Sequence, residues 1–416
     1  MILKDCLEII IDNRGRNPKY YDNEAYPVID NVMIKNNYHP NIKEATRFIN
    51  QDTHDNFLRG YLEPNIPIMT LVGGGIGNVS LSIDDKSVIV QNTIGFKTKA
   101  EILDSVYLYY WFLYKHDELI QFNRGSGQPS IRKTDIENMN IELKSINYQR
   151  KVSKILSKID EKIALNNEIN NNLQELINNI FISKFANFDG YNGDYKTTDL
   201  GDIPTGWNID NFGNVVSFSN GYGWNSKDML DSEQINTYKV FKMGNIKIGG
   251  GINKDKTKSW ISRDKCLGLE QYLSKKGDIL MCMTDMKSSE NPLLGHTALI
   301  DRDNEFVINQ RVGLIRCNKE IKWPYIYTMT NLPFFISDIR SKAHSGVQVN
   351  LTTSGICETK MLIPDNVSLE EFYKNVIPMY EKIFVINNEV EYFEQLRDTL
   401  LPKLMNGEIN LDNIEI

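Results

Sequence analysis

A long helix is predicted in the middle of the chain by the spacing of its apolar positions. Between residues 148 and 184, apolar or amide side chains recur at alternating steps of four and three, and residues 146–182 contain neither glycine nor proline. This alternation averages 3.5 residues per turn, which is the period of a coiled-coil seam rather than of a helix buried on a broad face. The positions of this seam are Val152, Leu156, Ile159, Ile163, Asn166, Asn170, Leu173, Ile177 and Ile180.

The same spacing recurs about 220 residues later, near the end of the chain. Pro378 interrupts this second pattern, so the second helix is expected to kink or to begin there. At ~1.5 Å per residue each helix would be on the order of 50 Å long, which suits a spacer. The second seam consists of Phe372, Val376, Met379, Ile383, Ile386, Val390, Phe393, Arg397 and Leu400.

Two seams of equal length predict two helices that face each other. The alternative is two ordinary amphipathic helices, each buried on its own domain, for which flanking positions would also be apolar. Asn166 and Asn170 lie in the middle of the first seam. If buried, they would lower stability and fix the register of the pair; otherwise the seam is open to solvent there.

The repeat extends into the segments that precede the helices. Residues 124–131 and 344–351 match at a shift of 220, and residues 91–96 resemble residues 309–314. Each copy is therefore a mixed domain of roughly 150–180 residues followed by a long helix.

Short β-branched or aromatic runs in the mixed domains are broken by turn clusters such as Gly73–Gly75 and Gly249–Gly251. These patterns predict an α+β fold with a twisted sheet in each domain and an antiparallel coiled coil between the helices. We expect a first mixed domain at residues 1–146, a central helix at 147–186, a second mixed domain at 187–366, a distal helix at 367–405, and a loosely held acidic tail at 406–416.

Composition limits the class of protein. The 416 residues are enough for more than one domain. Five scattered cysteines without a CxxC pair favour reduced thiols in a cytoplasm and argue against a zinc site. The chain does not begin with a signal-peptide pattern, and no window approaches eighteen apolar residues, so we expect no membrane segment.

Motifs for catalysis are lacking in the sequence. Asn17-Pro18-Lys19-Tyr20 differs by one residue from the Asn-Pro-Pro-Tyr tetrad of amino-methyltransferases, and lysine cannot supply the fixed φ of the second proline. There is no P-loop, no clustered carboxylates with a lysine, and no metal spacing among the five histidines. We therefore expect neither catalysis nor a bound metal.

The net charge of −7 hides a local excess of lysine. Residues 239–265 carry seven lysines and one arginine, against Asp255 and Asp264 as the only carboxylates of the stretch. Such a stretch is either a solvated basic face or a surface for nucleic acid. The loops differ between the copies, for example residues 13–21 and 220–227, whereas helices and framework strands match; this pattern suits two modules with different targets.

Three further segments resemble one known family along essentially the whole chain. They are residues 200–207 (Leu-Gly-Asp-Ile-Pro-Thr-Gly-Trp), residues 277–280 (Gly-Asp-Ile-Leu) and residues 396–409. Together with the domain–helix–domain–helix order, they resemble the specificity subunit of Type I restriction-modification systems. The first copy lacks a Gly-Trp preamble, so its N-terminal segment is expected to be shortened relative to the family pattern.

The resemblance implies that each mixed domain is a target-recognition domain for one half of a bipartite site in double-stranded DNA, and that the helices set the gap. It also implies two methylation subunits that dock along the helices and bring S-adenosylmethionine, with restriction–translocation subunits in the larger complex. The chain itself would bind no cofactor. Antiparallel pairing would relate the modules by a pseudo-dyad, with their reading loops roughly one turn of DNA apart or slightly more.

Side chains that can contact phosphates or base edges are candidates for DNA binding in the variable loops. For each one, a solvated surface residue is the alternative; Gln128 and Gln348 recur at one site of the repeat, which a shared turn hydrogen bond would also explain. The candidates are Arg14, Arg16, Lys19, Tyr20, Arg124 and Gln128 in the first module and Asn220, Tyr222, Lys242, Lys254, Lys256, Arg311, Gln348 and Asn350 in the second.

A coiled-coil adaptor that joins two protein partners without touching DNA is the rival hypothesis. The basic stretch and the dissimilar loops favour DNA recognition, whereas the acidic net charge favours the adaptor. A stand-alone methyltransferase is opposed by the altered tetrad.

Overall fold

The chain forms two compact units in a computed structural model, which describes residues 1–15, 17–125, 127–286, 292–318, 321–345 and 348–411. Unit 1 comprises residues 1–168 and 386–416, and unit 2 comprises residues 169–385. Each unit thus contains one mixed domain together with a part of each long helix. The sequence-based division had kept the helices separate from the domains.

Unit 1 consists of short strands, short helices and parts of the two long helices. Its elements are β1 (Leu7–Ile11), β2 (Tyr26–Pro27), β3 (Phe48–Ile49), α1 (Gln51–Phe57), β4 (Pro67–Thr70), β5 (Val79–Leu81), β6 (Thr93–Thr98), α2 (Ser105–Tyr114), α3 (His116–Gln121), α4 (Lys133–Glu137) and the first part of α5 (Ile146–Phe185). Short 3-10 helices at Leu3–Cys6, Asn31–Met33 and Ile42–Glu44 connect its parts. The unit is built on a four-stranded antiparallel sheet with the order β1-β6-β4-β5.

Helix α2 covers this sheet because nearly all of its side chains are large and apolar. Six of its residues, from Tyr107 to Phe112, are buried, and they share one core with β4, β5 and β6. The Asp104 side chain accepts a hydrogen bond from the backbone N–H of Tyr107, which starts the helix at the edge of the sheet.

Unit 2 repeats this plan with additional sheets, one of them four-stranded. Its elements are β7 (Tyr195–Thr198), β8 (Gly201–Pro204), β9 (Asn208–Asn211), α6 (Phe212–Val215), β10 (Val216–Asn220), β11 (Met229–Leu230), β12 (Thr237–Phe241), β13 (Trp260–Ser262), β14 (Ile279–Cys282), β15 (Thr284–Met286), β16 (Thr297–Leu299), β17 (Phe306–Ile308), β18 (Val312–Cys317), α7 (Trp323–Thr330), α8 (Pro333–Ser341), β19 (His344–Ser345), β20 (Gln348–Asn350), α9 (Thr353–Cys357), β21 (Lys360–Ile363) and the first part of α10 (Asn366–Met405). Its 3-10 helices are Ser226–Asp228, Met243–Asn245, Lys254–Lys256, Arg263–Cys266 and Glu270–Tyr272. The main sheet has the order β10-β18-β14-β16, a second four-stranded sheet has the order β11-β13-β12-β17, and the smaller sheets have the orders β15-β20-β19, β21-β9 and β7-β8.

The two main sheets have equivalent strand orders and the same pairing at their central glycines. Gly95 pairs with Ile11 on one side and Ile68 on the other. Gly313 pairs with Asn220 and with Met281 in the same way. The tandem repeat of an α+β domain followed by a long helix, predicted from the sequence, is therefore confirmed.

The long helices run antiparallel to each other within each unit. In unit 1, Tyr148 near the start of α5 contacts Leu404 near the end of α10, and Asn166 contacts Glu389. In unit 2, Lys184 forms an ion pair with Glu371. The predicted antiparallel pairing is confirmed, and both helices are continuous over 40 residues. The expectation that α10 begins at Pro378 is wrong, because α10 runs through that residue.

The buried faces of the helices are wider than a two-helix seam. Val152 and Leu156 belong to the core of unit 1, and Ile177, Phe372 and Val376 belong to the core of unit 2. Both arrangements considered from the sequence are thus combined, since each helix part contacts the other helix and its domain. Of the seam positions, Val152, Leu156, Ile159, Ile163, Asn166, Ile177, Phe372, Val376 and Ile386 are buried, and Asn170, Leu173, Ile180, Met379, Ile383, Val390, Phe393, Arg397 and Leu400 are partly buried.

The segment that follows α10 is held against unit 1 up to residue 411, contrary to the expectation of a loose tail at residues 406–416; residues 412–416 lie outside the described residues. Gly407 lies just beyond the end of α10, and its positive φ of 75° suits a glycine at this position. Leu411 is buried, and its carbonyl accepts a hydrogen bond from Lys151 Nζ at 2.7 Å. The Tyr148 hydroxyl donates to the Ile409 carbonyl at 3.2 Å. The buried Leu411 side chain and the hydrogen bonds to α5 hold this segment in place, although its amino-acid composition is acidic.

The five cysteines of the chain are all free thiols. Burial raises the pKa of Cys282 and of Cys317 to about 12, so these two thiols stay protonated. Within the described residues, no helix is both long and apolar enough to cross a membrane.

Candidate nucleic-acid interface

In unit 2, several candidate residues lie at one edge of the main sheet. Asn220 ends β10, and the backbone N–H of the next residue donates to the carbonyl of Val312 at 2.9 Å. Arg311 directly precedes β18 and is exposed. Because β10 and β18 are antiparallel, the end of one strand meets the start of the other, and Asn220 and Arg311 are brought to the same edge.

Asn350 is connected to this edge through a second small sheet. The Met283 N–H donates to the Arg311 carbonyl at 3.4 Å, and the Leu351 N–H donates to the Met283 carbonyl at 2.9 Å. Asn350 is exposed and pairs with Thr284 in β15. The backbone of Gln348 lies in the same strand, but its side chain is outside the described part of the structure.

An aromatic cluster adjoins the same edge. The Tyr222 ring lies 4.8 Å from the Trp224 ring and 5.3 Å from the Tyr272 ring, between ring centroids. Trp224 is fixed by a hydrogen bond from its Nε1 to the Ile308 carbonyl at 3.0 Å. Tyr222 is 38% exposed, so its ring and hydroxyl are presented to solvent on a rigid support.

The candidate lysines of unit 2 differ in how they are engaged. Lys242 Nζ donates to Ser259 Oγ at 2.7 Å. Lys254 Nζ lies 3.7 Å from Glu305, whose side chain is buried. Lys256, by contrast, is exposed. The basic stretch seen in the sequence is therefore partly neutralised within the protein, which only the fold could show.

In unit 1, Arg14 is held by an acidic neighbour. Its guanidinium donates to both carboxylate oxygens of Asp12, at 2.8 and 2.7 Å. This hydrogen bonding lowers the pKa of Asp12 below its usual value, although burial opposes the shift. Arg16 lies outside the described residues.

Lys19 and Tyr20 contact aromatic and cationic partners. Lys19 Nζ lies 5.0 Å from the centre of the Tyr21 ring, and Lys19 is exposed. The Tyr20 ring is partly buried, packs against the cluster of Val28 and neighbouring apolar residues, and lies 4.3 Å from the guanidinium of Arg47. Burial raises the pKa of Tyr20. Tyr20 thus supports the position of Arg47 as well as being a candidate itself.

Gln128 lies beside the glycine-rich turn of unit 1. The Gly73 N–H donates to the Pro129 carbonyl at 2.9 Å, and Val72 forms a bridge with Ser130. Gly73 has a φ of 96°, and a Cβ there would lie 3.7 Å from Gln128 Nε2. Gln128 is exposed, so its amide is free to face a ligand above this turn.

Arg124 precedes the same loop. It is 53% exposed and forms an ion pair with Asp135 at 2.9 Å. Arg124 and Gln128 are therefore brought together on one loop, whereas Arg14, Lys19 and Tyr20 occupy another loop of unit 1.

Some residues that adjoin these sites were not predicted from the sequence. Arg47 forms an ion pair with Asp30, and Gln91 contacts Arg47 at 3.3 Å and also bonds to Asn17. Gln310 in unit 2 is exposed and adjacent to Arg311. Gln91 and Gln310 lie in the repeated segments 91–96 and 309–314, respectively. This recurrence in the sequence could have identified them as candidates.

No group of three or more histidine, cysteine, aspartate or glutamate side chains suited to a metal ion occurs in the described part of the chain. Asn17 and Tyr20 of the tetrad-like segment are engaged by Gln91 and Arg47, respectively.

Comparison with known proteins finds similarity to Type I restriction enzyme specificity subunits. A family model described as the Type I restriction modification DNA specificity domain matches residues 1–175. The MjaVIII specificity subunit of Methanocaldococcus jannaschii, a Type I restriction enzyme subunit, is 22% identical over 350 residues, which cover 82% of this chain and 78% of that protein. The MjaIX specificity subunit of the same organism is 24% identical over 329 residues, or 74% and 70% of the two chains.

A solved structure shares the fold over nearly the full length. The S subunit of a Type I restriction-modification system from M. genitalium superposes with a TM-score of 0.56 at 15% identity, covering 97% of this chain and 95% of that one. The chain is therefore similar to Type I restriction-modification specificity subunits over most of its length, and its residues 1–175 match the model of their DNA specificity domain.

Proposed function

We propose that this chain is the DNA-recognition subunit of a Type I restriction-modification complex and that each mixed domain reads one half of a bipartite site. The observation that carries the proposal is the repeat of one sheet with different residues at its edge. Asn220 stands where Ile11 stands in the first copy, because both pair with the central glycine of their sheet. A shared support with dissimilar edge residues is suited to reading two unlike half-sites.

The residues at the sheet edge of unit 2 suit contacts with DNA. Arg311 and Asn350 can form paired hydrogen bonds with guanine and adenine edges, respectively, and Tyr222 can stack or donate to a phosphate. In unit 1, Arg124 and Gln128 are the corresponding candidates on the loop beside Gly73. Arg14, Lys19, Tyr20, Asn220, Lys242, Lys254 and Lys256 remain predicted contacts that await mutation.

The helices are proposed to set the gap between the half-sites and to dock two methylation subunits. Large apolar side chains point to solvent on both helix parts of unit 1, at Leu165 and Tyr392, and on those of unit 2, at Leu176 and Val385. Exposed apolar residues on an otherwise polar helix surface suit contacts with protein partners.

The chain is proposed to act without chemistry of its own. S-adenosylmethionine would be brought by the methylation subunits, and restriction–translocation subunits would join in the larger complex. The altered tetrad, in which Lys19 replaces proline, supports this division of roles. By the role of the family, we place the complex in the cytoplasm. An adaptor that never touches DNA would use the same exposed helix positions, but it gives no role to the differing sheet edges.

Methylation mapping tests the proposal directly. The chain and the methylation subunit encoded beside it are expressed in cells that lack other methylation, and modified bases are mapped across the genome. We expect two short defined blocks separated by a fixed unspecified gap. A methylation subunit expressed without this chain is the control, and it should leave no such pattern.

Exchange of residues 1–146 for the corresponding module of a relative sharpens the test. One block should change while the other block stays as before. A continuous motif, or no motif from a folded complex, would favour the adaptor instead.

A further inference from the structure

The two units insert equivalent loops at the same place in the fold. Loop A (residues 30–47) follows Val28 and Ile29, and loop B (residues 242–259) follows β12; both span the same number of residues. The Val28 N–H donates to the Arg47 carbonyl at 2.9 Å, and the Val240 N–H donates to the Ser259 carbonyl at 2.9 Å. Val28 and Val240 also both pair in parallel with a valine, Val88 and Val307, respectively.

The base of each loop is closed by its first and last residues. In loop A, Asp30 forms an ion pair with Arg47. In loop B, Lys242 Nζ donates to Ser259 Oγ at 2.7 Å. The contact that closes the loop is an ion pair in loop A and a lysine–serine hydrogen bond in loop B, but it joins the equivalent positions. The loops are therefore two versions of one structural element.

Loop B is anchored at the sheet edge that carries Arg311. Its Gly249 N–H donates to His296 Nδ1 at 3.2 Å. The His296 carbonyl in turn accepts from the Cys282 N–H at 3.0 Å, and Cys282 pairs with Val312, the neighbour of Arg311. A Cβ at Gly250 would lie 2.9 Å from the Tyr327 hydroxyl, so the turn packs closely on the domain. Loop B is therefore a supported element beside the candidate DNA-reading residues.

The two loops differ strongly in charge. Loop B contains five lysines and one aspartate, whereas loop A contains two lysines and one arginine against one aspartate and one glutamate. Within loop B, Lys247, Lys256 and Lys258 are exposed, and no ion pair connects them to another side chain in the described ranges of the structure. In loop A the arginine is occupied by Asp30. Lys35 and Lys43 of loop A are exposed as well, so the loops differ by three exposed lysines against two and by a net charge of +4 (five lysines, one aspartate) against +1 (three basic and two acidic residues).

We propose that loop B is a phosphate-binding clamp for the DNA backbone next to one half-site, with Lys247, Lys256 and Lys258 as its contacts. Loop A does not carry this role, so the two half-sites are held by unequal electrostatic forces. Lysine binds phosphate as a point charge without reading bases, and each phosphate contact releases counterions and steepens the salt dependence of binding. The clamp rests on the proposed function of the chain as a DNA-recognition subunit.

The test measures binding of the full chain, in complex with its methylation subunit, to a duplex that contains the mapped site. The dissociation constant is determined over a series of NaCl concentrations for the wild type and for the triple variant Lys247→Gln, Lys256→Gln, Lys258→Gln. We expect the slope of log affinity against log salt to become shallower by about 0.9 for each lysine–phosphate pair that the variant cannot form. The matched control is Lys35→Gln, Lys43→Gln, Lys86→Gln, which removes the same charge from loop A and its domain and should change the slope little.

Further variants and outcomes distinguish failure of the clamp proposal from failure of the proposed function. The variant with arginine at the three lysine positions should keep the wild-type slope, and the methylated sequence should be unchanged in every variant. An unchanged slope in the glutamine variant, an equal effect of the control, or an altered sequence would overturn the clamp while leaving the function intact. A wild-type complex that binds the mapped duplex no better than a scrambled duplex would overturn the proposed function itself.

Discussion

Asp160 of α5 and Arg397 of α10 form an ion pair in the interior of unit 1, with 3.0 Å between Asp160 Oδ1 and Arg397 Nη1. The other carboxylate oxygen accepts a hydrogen bond from the Tyr110 hydroxyl of α2 at 2.6 Å. Burial raises the pKa of Asp160, and Arg397 and Tyr110 oppose that rise. Arg397 occupies a seam position where an apolar side chain is the norm, so the pair fixes which residues of the two helices face each other.

Removal of Arg397 alone should destabilise the protein. Arg397→Met leaves the Asp160 carboxylate buried without its partner, so the free energy of unfolding should fall by about 3–5 kcal/mol. Replacement of both residues, Asp160→Leu with Arg397→Met, should recover much of this loss because no buried charge remains. Urea unfolding measures both effects. Lys158→Ala, which breaks the exposed pair with Glu161, is the control and should cost less than about 1 kcal/mol. A small effect of Arg397→Met would show that water reaches Asp160.

Truncation of Leu411 should loosen the terminal segment. Leu411 is 1% exposed and packs in the core of unit 1, so Leu411→Ala should cost about 2–5 kcal/mol if the site cannot collapse. The nearby exposed residue provides the control, since Glu408→Ala should be nearly neutral. Limited proteolysis of the tail, together with thermal unfolding, reports the change. Equal behaviour of the two variants would mean that the tail contributes nothing to stability.

His296 should make stability depend on pH. Burial, together with the charge of Arg340, lowers the pKa of this imidazole from 6.5 to about 4, and its Nδ1 accepts the Gly249 N–H. The folded protein therefore keeps His296 neutral while the unfolded chain takes up a proton below about pH 6.5. The stability from this group is present above that pH and is lost as the pH falls toward 4.

His296→Gln retains a side-chain acceptor without a titrating group. The wild type should lose more stability than this variant between pH 7 and pH 5, as measured by urea unfolding at each pH. Parallel losses in the two proteins would contradict the assignment of this pH dependence to His296.

Deletion of one heptad from each long helix tests the spacer role. Removal of residues 167–173 and 382–388 shortens each helix by about 10 Å and keeps the same face toward the partner, because seven residues make about two turns. The unspecified gap in the methylated sequence should shorten by about three base pairs at ~3.4 Å per base pair, with both defined blocks unchanged. Deletion from α5 alone is the control, and mismatched helices should abolish methylation. If the double deletion leaves the gap unchanged, the length of the helices does not set the spacing between the half-sites.

Local spacing was sufficient to predict the α+β repeat and the two long helices, and short motifs were sufficient to indicate the family that the chain resembles. These properties depend on periodicity and on recurrence along the chain, which can be read without knowing distant contacts. The positions from Val152 to Ile177 and from Phe372 to Ile386 predicted two helices that face each other, because a 3.5-residue repeat is the period of a coiled-coil seam.

Which charged side chains form ion pairs and which side chains are buried, by contrast, depends on the tertiary structure. Lys254 is engaged by Glu305, which lies about 50 residues away in the chain, and Leu411 is buried beside α5 although its neighbours are polar. Lys247 and Lys258 stay exposed on a supported loop, although the sequence does not distinguish them from Lys254. The physical reason is that ion pairing and burial depend on which distant residues the fold brings within a few ångströms, and local spacing carries no record of those contacts.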